Sequence, residues 1–161
     1  MKQEISFSFE TYASAEELPA SLSSLIESSE KACKLAYAPY SKFNVGAAVL
    51  LANGEVLVGS NKENASFPAG TCAERNVLNY VRDHHPGVKI QAIAISAVPE
   101  EFELSGPLAP CGICRQVMAE VEFVQGSPIQ VLMNSTEGKV LSVSAAKDLL
   151  PFHFYVPELK K

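Results

Sequence analysis

Three of the four cysteines in this chain stand at the starts of two predicted helices, and this placement constrains the fold more than any other feature. Cys72 opens a helix predicted over about residues 72–84 in "TCAERNVLNY", and Cys111 and Cys114 begin another, predicted over about 112–123, in "APCGICRQVM". The cysteines of "CGIC" lie about one helical turn apart, so both can turn towards one point. A strand that crosses between the helices can bring both helix N-termini together.

The rest of the chain alternates between predicted helices and strands. The expected elements are, in order, a helix over 16–38 that Pro39 ends, a hairpin in "FNVGAAVLLANGEVLVGSN", a buried strand in "KIQAIAISAV", strands in "IQVLMN" and "GKVLSVS", and a short helix in "AAKDLL". Asn53-Gly54 predicts the hairpin turn, since this dipeptide accepts positive φ at both turn positions. With the two cysteine-bearing helices, this order favours a layered α/β domain with a mixed sheet.

The first fifteen residues stand apart from this pattern. Ile5, Phe7 and Phe9 alternate with polar residues, which is typical of an edge strand or an ordered arm. The segment has no basic start followed by an unbroken apolar stretch, so we expect no secretory signal.

Composition narrows the classes of function. The chain has 161 residues, 47% of them hydrophobic, which suits one domain with a full-sized core. The formal net charge is −5 with no block of like charges, so we expect a small-molecule partner and no nucleic acid. No segment approaches the roughly 20 apolar residues of a membrane span, and we expect a cytoplasmic location. Thiols stay reduced there, which favours metal binding or catalysis over disulfides.

The cysteine placement suits thiolate chemistry. A helix N-terminus favours an anion, and thiolate is the form of cysteine that ligates metal. Three sulfur ligands leave one position of a tetrahedral zinc free for water, and Glu74 is the candidate proton carrier beside it. Three thiolates bring the formal charge of the site to −1, so a cation should compensate. Arg75 and Arg115 each follow a candidate site residue and are the candidates for this charge balance.

Simpler interpretations of the same residues stay open. "CGIC" alone could be a redox pair or chance, and three thiolates with a fourth ligand elsewhere would make a purely structural zinc site. Cys33 lies on the apolar face of the first predicted helix, where we expect it to pack in the core. His84 and His85 close a helix before Pro86-Gly87, where capping is expected rather than metal ligation.

Cys-x-Glu combined with Pro-Cys-x-x-Cys is much more specific than its parts. The zinc deaminase pattern joins His-x-Glu to Pro-Cys-x-x-Cys, with a three-cysteine ligand set as a variant. "CAER", "PCGICRQ", "APYSKFNVGAAV" and "NKENASF" resemble the cytidine deaminase family, in the same order, from about Tyr37 to Phe154. The resemblance implies a three-layer α-β-α fold with a central mixed sheet. It divides the chain into an N-terminal arm of unknown role, residues 1–15, and a single catalytic domain, residues 16–161.

The same resemblance implies a function. It is the zinc-dependent hydrolysis of cytidine and deoxycytidine to uridine and deoxyuridine, with release of ammonia, in pyrimidine salvage. The three-cysteine form is similar to the small homotetrameric branch, whose sites lie at subunit interfaces. By resemblance, Cys72, Cys111 and Cys114 hold one Zn²⁺ per chain, and Glu74 is the catalytic acid/base.

Substrate-binding positions carry over in the same way. Asn61 and Glu63, in "NKEN", match the residues that hold the ribose 3′-hydroxyl, and Phe43 matches the aromatic residue that lines the base pocket. Ala73 would contribute its backbone N–H. Phe154, in "LLPFHF", matches a final aromatic residue that closes the pocket, although the family usually has small residues before it.

Other functions compete with this one. A deaminase of the same fold could act on a cytosine-bearing antibiotic of the blasticidin type or on another aminated heterocycle, but "NKEN" suits a ribose hydroxyl. An RNA- or DNA-editing deaminase is disfavoured, since the sequence has neither a basic stripe nor an aromatic platform. A non-catalytic zinc-binding module would leave Glu74 and the sugar-binding pair without a use.

Overall fold

A six-stranded mixed sheet runs through the centre of the protein, as seen in a computed structural model that describes residues 1–159. The strands are β1 (Glu10–Tyr12), β2 (Phe43–Leu51), β3 (Val56–Ser60), β4 (Ile90–Pro99), β5 (Gln130–Asn134) and β6 (Val140–Val143). The α-helices are α1 (Ala20–Cys33), α2 (Ala73–His84) and α3 (Gly112–Gln125). Short 3-10 helices cover Ala15–Glu17, Phe67–Ala69, Ala146–Leu149 and Pro157–Leu159.

The connections of the sheet place two helices on one face. The strands lie in the order β1-β6-β5-β4-β2-β3, with β4 and β5 parallel and the other neighbouring pairs antiparallel. Parallel strands cannot be joined by a tight turn, and α3 makes the crossover from β4 to β5. Helix α2 joins β3 to β4 and packs in the same hydrophobic cluster as α3.

Alternating side chains of the central strands separate two hydrophobic cores. Val49 of β2 packs with Val77 of α2 and Met118 of α3 on one face of the sheet. Ala48 packs with Leu25 of α1 on the other face. The sheet therefore lies between α1 and the pair α2 and α3, which confirms the predicted three-layer α-β-α fold with a central mixed sheet. Within residues 1–159, no helix combines the length and the apolar character that a bilayer crossing requires.

The first helix is shorter than predicted. The predicted helix over 16–38 is wrong at both ends, because α1 covers only Ala20–Cys33. Pro39 therefore does not end α1. Tyr37 instead pairs with the segment after β3: its N–H donates to Asn61 O at 3.0 Å, and its carbonyl accepts from Glu63 N–H at 2.8 Å. These long-range hydrogen bonds draw residue 37 out of a helical path.

The predicted hairpin forms, but its turn differs from the expectation. Gly54 has a φ of 85°, whereas Lys42 is the one non-glycine residue of 1–159 with positive φ, so Asn53 is not left-handed. Gly54 N–H donates to Leu51 O, and Leu51 N–H donates to Glu55 O, both at 2.9 Å. One left-handed glycine after a right-handed turn is typical of a longer hairpin loop.

Both ends of the chain are less regular than the sequence suggests. The predicted edge strand is limited to β1, which pairs with β6, while Ile5, Phe7 and Phe9 precede it and are exposed. The short helix predicted in "AAKDLL" is the 3-10 helix Ala146–Leu149. The helices predicted at the three cysteines are confirmed by α2 and α3.

Gly46 lies where β2 passes directly beneath α1. A Cβ atom at this position would lie 2.0 Å from Ser29 O and 2.6 Å from Cys33 N. Both neighbours are backbone atoms, so neither can rotate away. The close contact of α1 with the sheet therefore requires glycine here.

We expect Gly46→Ala to lower the free energy of unfolding by about 3 kcal/mol, because the strand and the helix must separate to admit one methyl group. Urea denaturation of the two proteins measures the difference. Gly106→Ala is the matched control, since a Cβ there meets nothing within 4 Å. Equal stabilities of wild type and Gly46→Ala would contradict this account of the packing.

Candidate active site

The N-termini of α2 and α3 bring three cysteine sulfurs together. Cys72 is the N-cap residue of α2, Cys111 is the N-cap residue of α3, and Cys114 lies in the first turn of α3. The three Sγ atoms lie within 4.8 Å of one another, and those of Cys111 and Cys114 are 3.9 Å apart. Tetrahedral zinc with Zn–S bonds of about 2.3 Å separates its sulfurs by about 3.8 Å. The sequence-predicted cysteines therefore form a cluster that fits a zinc ion.

Neighbouring charges give these thiols different acidities. A hydrogen bond from the Cys114 thiol lowers the pKa of Cys72, and the Arg75 guanidinium lowers it further, although burial and the Glu74 carboxylate oppose both effects. The same pairing with Cys72, together with burial, raises the pKa of Cys114. Cys72 is thus the sulfur of this pair that carries negative charge most readily, and thiolate is the form that ligates metal.

Glu74 lies in the first turn of α2, within hydrogen-bonding reach of Cys114. Its side chain is 5% exposed, and burial raises the pKa of its carboxyl group. The preceding Ala73 is fully buried at the first position of the helix, where backbone N–H groups have no partner within the helix. A buried carboxyl group beside three thiols can exchange protons with a molecule held there.

Glu63 holds the loop before β2 and borders a cavity. Its Oε2 accepts from Tyr40 N–H at 2.9 Å and from Ser41 N–H at 3.2 Å. The Ser41 hydroxyl, with these N–H groups, lowers the pKa of the Glu63 carboxyl. A cavity of about 430 Å³ opens beside these residues, and its lining also includes Asn64, Phe67 and Gly70.

Asn61 holds the first residues of β2. Its Oδ1 accepts from Val45 N–H at 2.8 Å, and its Nδ2 donates to Phe43 O at 2.9 Å. The Phe43 ring stacks on Phe102, with ring centroids 5.7 Å apart and planes 10° apart. Asn61 therefore fixes the backbone that carries Phe43 in addition to any contact with a ligand.

Phe154 lies on the surface, away from the cavity that Glu63 borders. Its side chain is 70% exposed and lines a groove of about 500 Å³ with Arg82 and Val117. Gln116 holds its backbone, since Gln116 Nε2 donates to Phe154 O at 2.7 Å and Gln116 Oε1 accepts from Phe154 N–H at 2.8 Å. Within one chain, Phe154 does not line the cavity beside Glu63.

The two candidate arginines have different surroundings. Arg75 is half-buried, and its positive charge contributes to lowering the pKa of Cys72. Arg115 is half-buried too, and it donates through Nε to Pro110 O at 2.7 Å and through Nη1 to Leu149 O at 3.2 Å. Charge balance by either residue stays a prediction.

Several residues that hold the segments around the site were not predicted. Glu122 of α3 is 5% exposed, and its Oε2 accepts from Ile129 N–H at 2.9 Å and from Ala146 N–H at 2.6 Å. Its position four residues after Met118, on the buried stripe of α3, was a signal that could have identified it. Phe102 and Tyr40 contribute through loop contacts that no periodic pattern marks.

Fold and site together define an α/β protein with a candidate metal site. Two helix N-termini bring together three thiols that could hold a metal ion, and a buried carboxyl group lies beside them. The chain belongs to the cytidine and deoxycytidylate deaminase family, since the model of the "Cytidine and deoxycytidylate deaminase zinc-binding region" matches residues 19–126.

Curated relatives agree with this family. A cytidine deaminase of Sporosarcina psychrophila is 40% identical over 136 residues, which are 84% of this chain and 92% of that protein. A cytidine deaminase of Halalkalibacterium halodurans is 36% identical over 136 residues, 84% of this chain and 95% of that protein.

Solved structures agree as well. The crystal structure of a cytidine deaminase from Burkholderia pseudomallei has a TM-score of 0.71 and 42% identity, covering 81% of this chain and 97% of that one. That of a cytidine deaminase from Mycobacterium tuberculosis has a TM-score of 0.63 and 31% identity, covering 83% and 96%.

We expect Glu63→Gln to destabilise the protein in a pH-dependent way. The pKa of Glu63 is lower in the folded state, so its carboxylate stabilises the fold above the unfolded-state pKa of about 4.3, and this contribution is lost as pH falls through the folded-state pKa. The unfolding temperature of Glu63→Gln should be below that of wild type at pH 7, and the gap should close in acid. Thermal unfolding across pH tests this, with exposed Glu101→Gln as control. A gap that is independent of pH would show that the carboxylate does not hold the loop by its charge.

Proposed function

We propose that this protein hydrolyses cytidine and deoxycytidine to uridine and deoxyuridine with release of ammonia, in a zinc-dependent reaction. The observation that carries the proposal is the buried Glu74 carboxyl group beside the clustered sulfurs of Cys72, Cys111 and Cys114. The three cysteines are the proposed ligands of one Zn²⁺ per chain. Zinc bound there would act as a Lewis acid and activate the attacking water.

Glu74 is the proposed proton carrier of this reaction. Cytosine C4 is a poor electrophile until N3 is protonated, so Glu74 takes a proton from the attacking water and gives it to N3. As the C4–N bond breaks, Glu74 passes the hydroxyl proton to the departing amine, which leaves as ammonia while C4 keeps the oxygen. Burial raises the pKa of Glu74, which brings the carboxyl closer to the working pH and suits both transfers.

The "NKEN" loop is the proposed sugar-binding element. Asn61 and Glu63 would hold the ribose 3′-hydroxyl, Phe43 would line the base pocket, and Ala73 would offer its N–H to the base. In support, Glu63 borders the cavity of about 430 Å³. Phe43 packs against the same hydrophobic core as Cys72, so the aromatic ring and the cysteine cluster lie on one side of the sheet.

Charge balance at the cluster is the proposed role of Arg75. Three cysteinates around Zn²⁺ carry a net formal charge of −1, and a neighbouring guanidinium offsets it. The effect of Arg75 on the pKa of Cys72 supports this assignment.

Assembly and location complete the proposal. We assign catalysis to residues 16–161, in a cytoplasmic homotetramer that serves pyrimidine salvage and shares its sites between subunits. Phe152 and Phe154 support sharing, because they are 88% and 70% exposed and large exposed aromatic side chains favour burial against another chain. In such an assembly Phe154 would close a site that is not its own.

Absorbance monitoring of cytidine loss by the purified protein tests the function directly. Conversion of cytidine and deoxycytidine, with ammonia release equal to nucleoside loss, is the expected result. A blasticidin-type antibiotic in the same panel distinguishes the rival deaminase. A zinc-loaded protein without turnover on any of these substrates would instead indicate a non-catalytic zinc-binding module.

We expect Glu74→Ala to keep its zinc and lose turnover. General acid–base catalysis contributes about 10²- to 10⁴-fold to a rate, so kcat should fall by that factor while zinc content per chain stays at the wild-type value. Metal analysis and the absorbance assay on the same sample provide both measurements, with Glu101→Ala as the control. Loss of zinc together with activity would mark Glu74 as a ligand and overturn its proposed role.

We expect removal of the substrate 3′-hydroxyl to harm wild type more than Glu63→Ala. In wild type the missing hydroxyl removes one hydrogen-bond donor from the Glu63 carboxylate, which costs about tenfold or more in kcat/KM. The variant has no such partner to lose. Measuring kcat/KM for cytidine and 3′-deoxycytidine with both proteins gives the comparison. An equal loss in both would show that Glu63 does not contact this hydroxyl.

A further inference from the structure

The Arg115 side chain joins two segments that lie far apart in the sequence. Its Nε donates to Pro110 O at 2.7 Å, and its Nη1 donates to Leu149 O at 3.2 Å. Pro110 directly precedes Cys111, and Leu149 ends a 3-10 helix near the C-terminus. We propose that Arg115 is a positioning residue that fixes the backbone around Cys111 by tying it to this 3-10 helix. The inference rests on the ligand set proposed above.

Arg115 holds the peptide units on both sides of the Cys111 α-carbon. Its backbone N–H donates to Cys111 O at 3.0 Å, while its side chain holds the carbonyl of Pro110, in the unit that precedes Cys111. The Cys111 backbone is thereby fixed at φ −68° and ψ 166°, and the direction of its sulfur depends on the side-chain torsion alone. Cys111 is exposed whereas Cys114 is buried, so packing does not supply this orientation at Cys111.

At Cys72 the same two positions are held without a charged side chain. Asn76 N–H donates to Cys72 O at 3.0 Å, as Arg115 N–H does to its cysteine. The carbonyl before the cysteine, that of Thr71, accepts from Lys62 N–H at 2.9 Å. A neighbouring backbone segment thus does for α2 what the guanidinium of Arg115 does for α3.

The 3-10 helix that anchors Arg115 is itself held at both ends by α3. Glu122 Oε2 accepts from Ala146 N–H at its start, and Arg115 donates to Leu149 O at its end. Arg115 and Glu122 are seven residues apart, which puts them on one face of α3 two turns apart. This anchor lies beyond residues 19–126, the part of the chain that the family model matches. Zinc retention therefore depends on the C-terminal part of the chain.

A lysine at position 115 can distinguish a positioning role of Arg115 from a charge-balancing role. Lysine keeps the positive charge of Arg115 but lacks the planar fork that donates to two carbonyls at fixed angles. Glutamine loses the charge and is too short to reach both carbonyls. A charge-balancing Arg115 is thus rescued by lysine, whereas a positioning Arg115 is not.

Zinc affinity of Arg115→Lys and Arg115→Gln, measured in the full chain by competition with a chromophoric chelator, tests the proposal. We expect both variants to bind zinc about 10- to 100-fold more weakly than wild type, the range typical for loss of a residue that orients a metal ligand. Arg115→Lys separates the two roles, and if it fails to fold, wild-type affinity in Arg115→Gln would still overturn the proposal. Wild-type affinity in Arg115→Lys, with weakened affinity in Arg115→Gln, would overturn positioning in favour of charge.

Gln125→Ala is the matched control on the same helix. Gln125 holds the backbone of Ile90 by two hydrogen bonds of 2.9 Å at the end of α3 far from the cysteines. Its loss should lower the unfolding temperature and leave zinc affinity unchanged. If Gln125→Ala weakened zinc binding as much as Arg115→Lys, the effect would be general destabilisation and the proposal would fail. A wild-type protein that binds no zinc would contradict the ligand set rather than the role of Arg115.

Discussion

The meeting of two helix N-termini on one face of the sheet is the constraint on which the rest of the structure depends. Close contact between β3 and α2 sets the position of one of them. A Cβ on Gly59 would lie 2.7 Å from Ala73 O and 2.9 Å from Val77 N, so only glycine allows this approach. Asn76 Nδ2 adds a hydrogen bond of 2.7 Å to Ser60 O, at the end of the same strand. The crossover connection between parallel strands β4 and β5 contains α3 and places this second helix on the same face.

This convergence brings groups that can become anionic close together, and two of them, Glu74 and Cys114, are buried. Burial raises the pKa of Glu74, while the hydrogen bond from Cys114 lowers the pKa of Cys72 against the opposing charge of the Glu74 carboxylate. Helix N-termini and Arg75 favour the anionic forms. Because the ligands must lose protons to hold a cation, acid weakens metal binding. Metal binding in turn adds to the folding stability of the site.

Local pattern predicted the elements that carry the chemistry, and long-range hydrogen bonds account for what it missed. Cys72, Cys111 and Cys114 were placed at helix starts from sequence, because helix boundaries have local signals. The end of α1 was not, because Tyr37, which the pattern included in the helix, bonds a segment more than twenty residues away. The partners of Arg115 were equally hidden, since Leu149 is a backbone acceptor that any residue type could provide.

The predicted sugar-binding residues also hold the backbone near the cavity, which Glu63 borders. Asn61 holds Phe43 O and Val45 N–H, while Glu63 holds the N–H groups of Tyr40 and Ser41. Asn61 thus ties the segment after β3 to the start of β2, and Glu63 ties it to the segment before β2. A loss of turnover after mutation of either residue does not identify a sugar contact, because a displaced loop produces the same loss. Only altered discrimination between substrates that differ in one hydroxyl group separates recognition from construction.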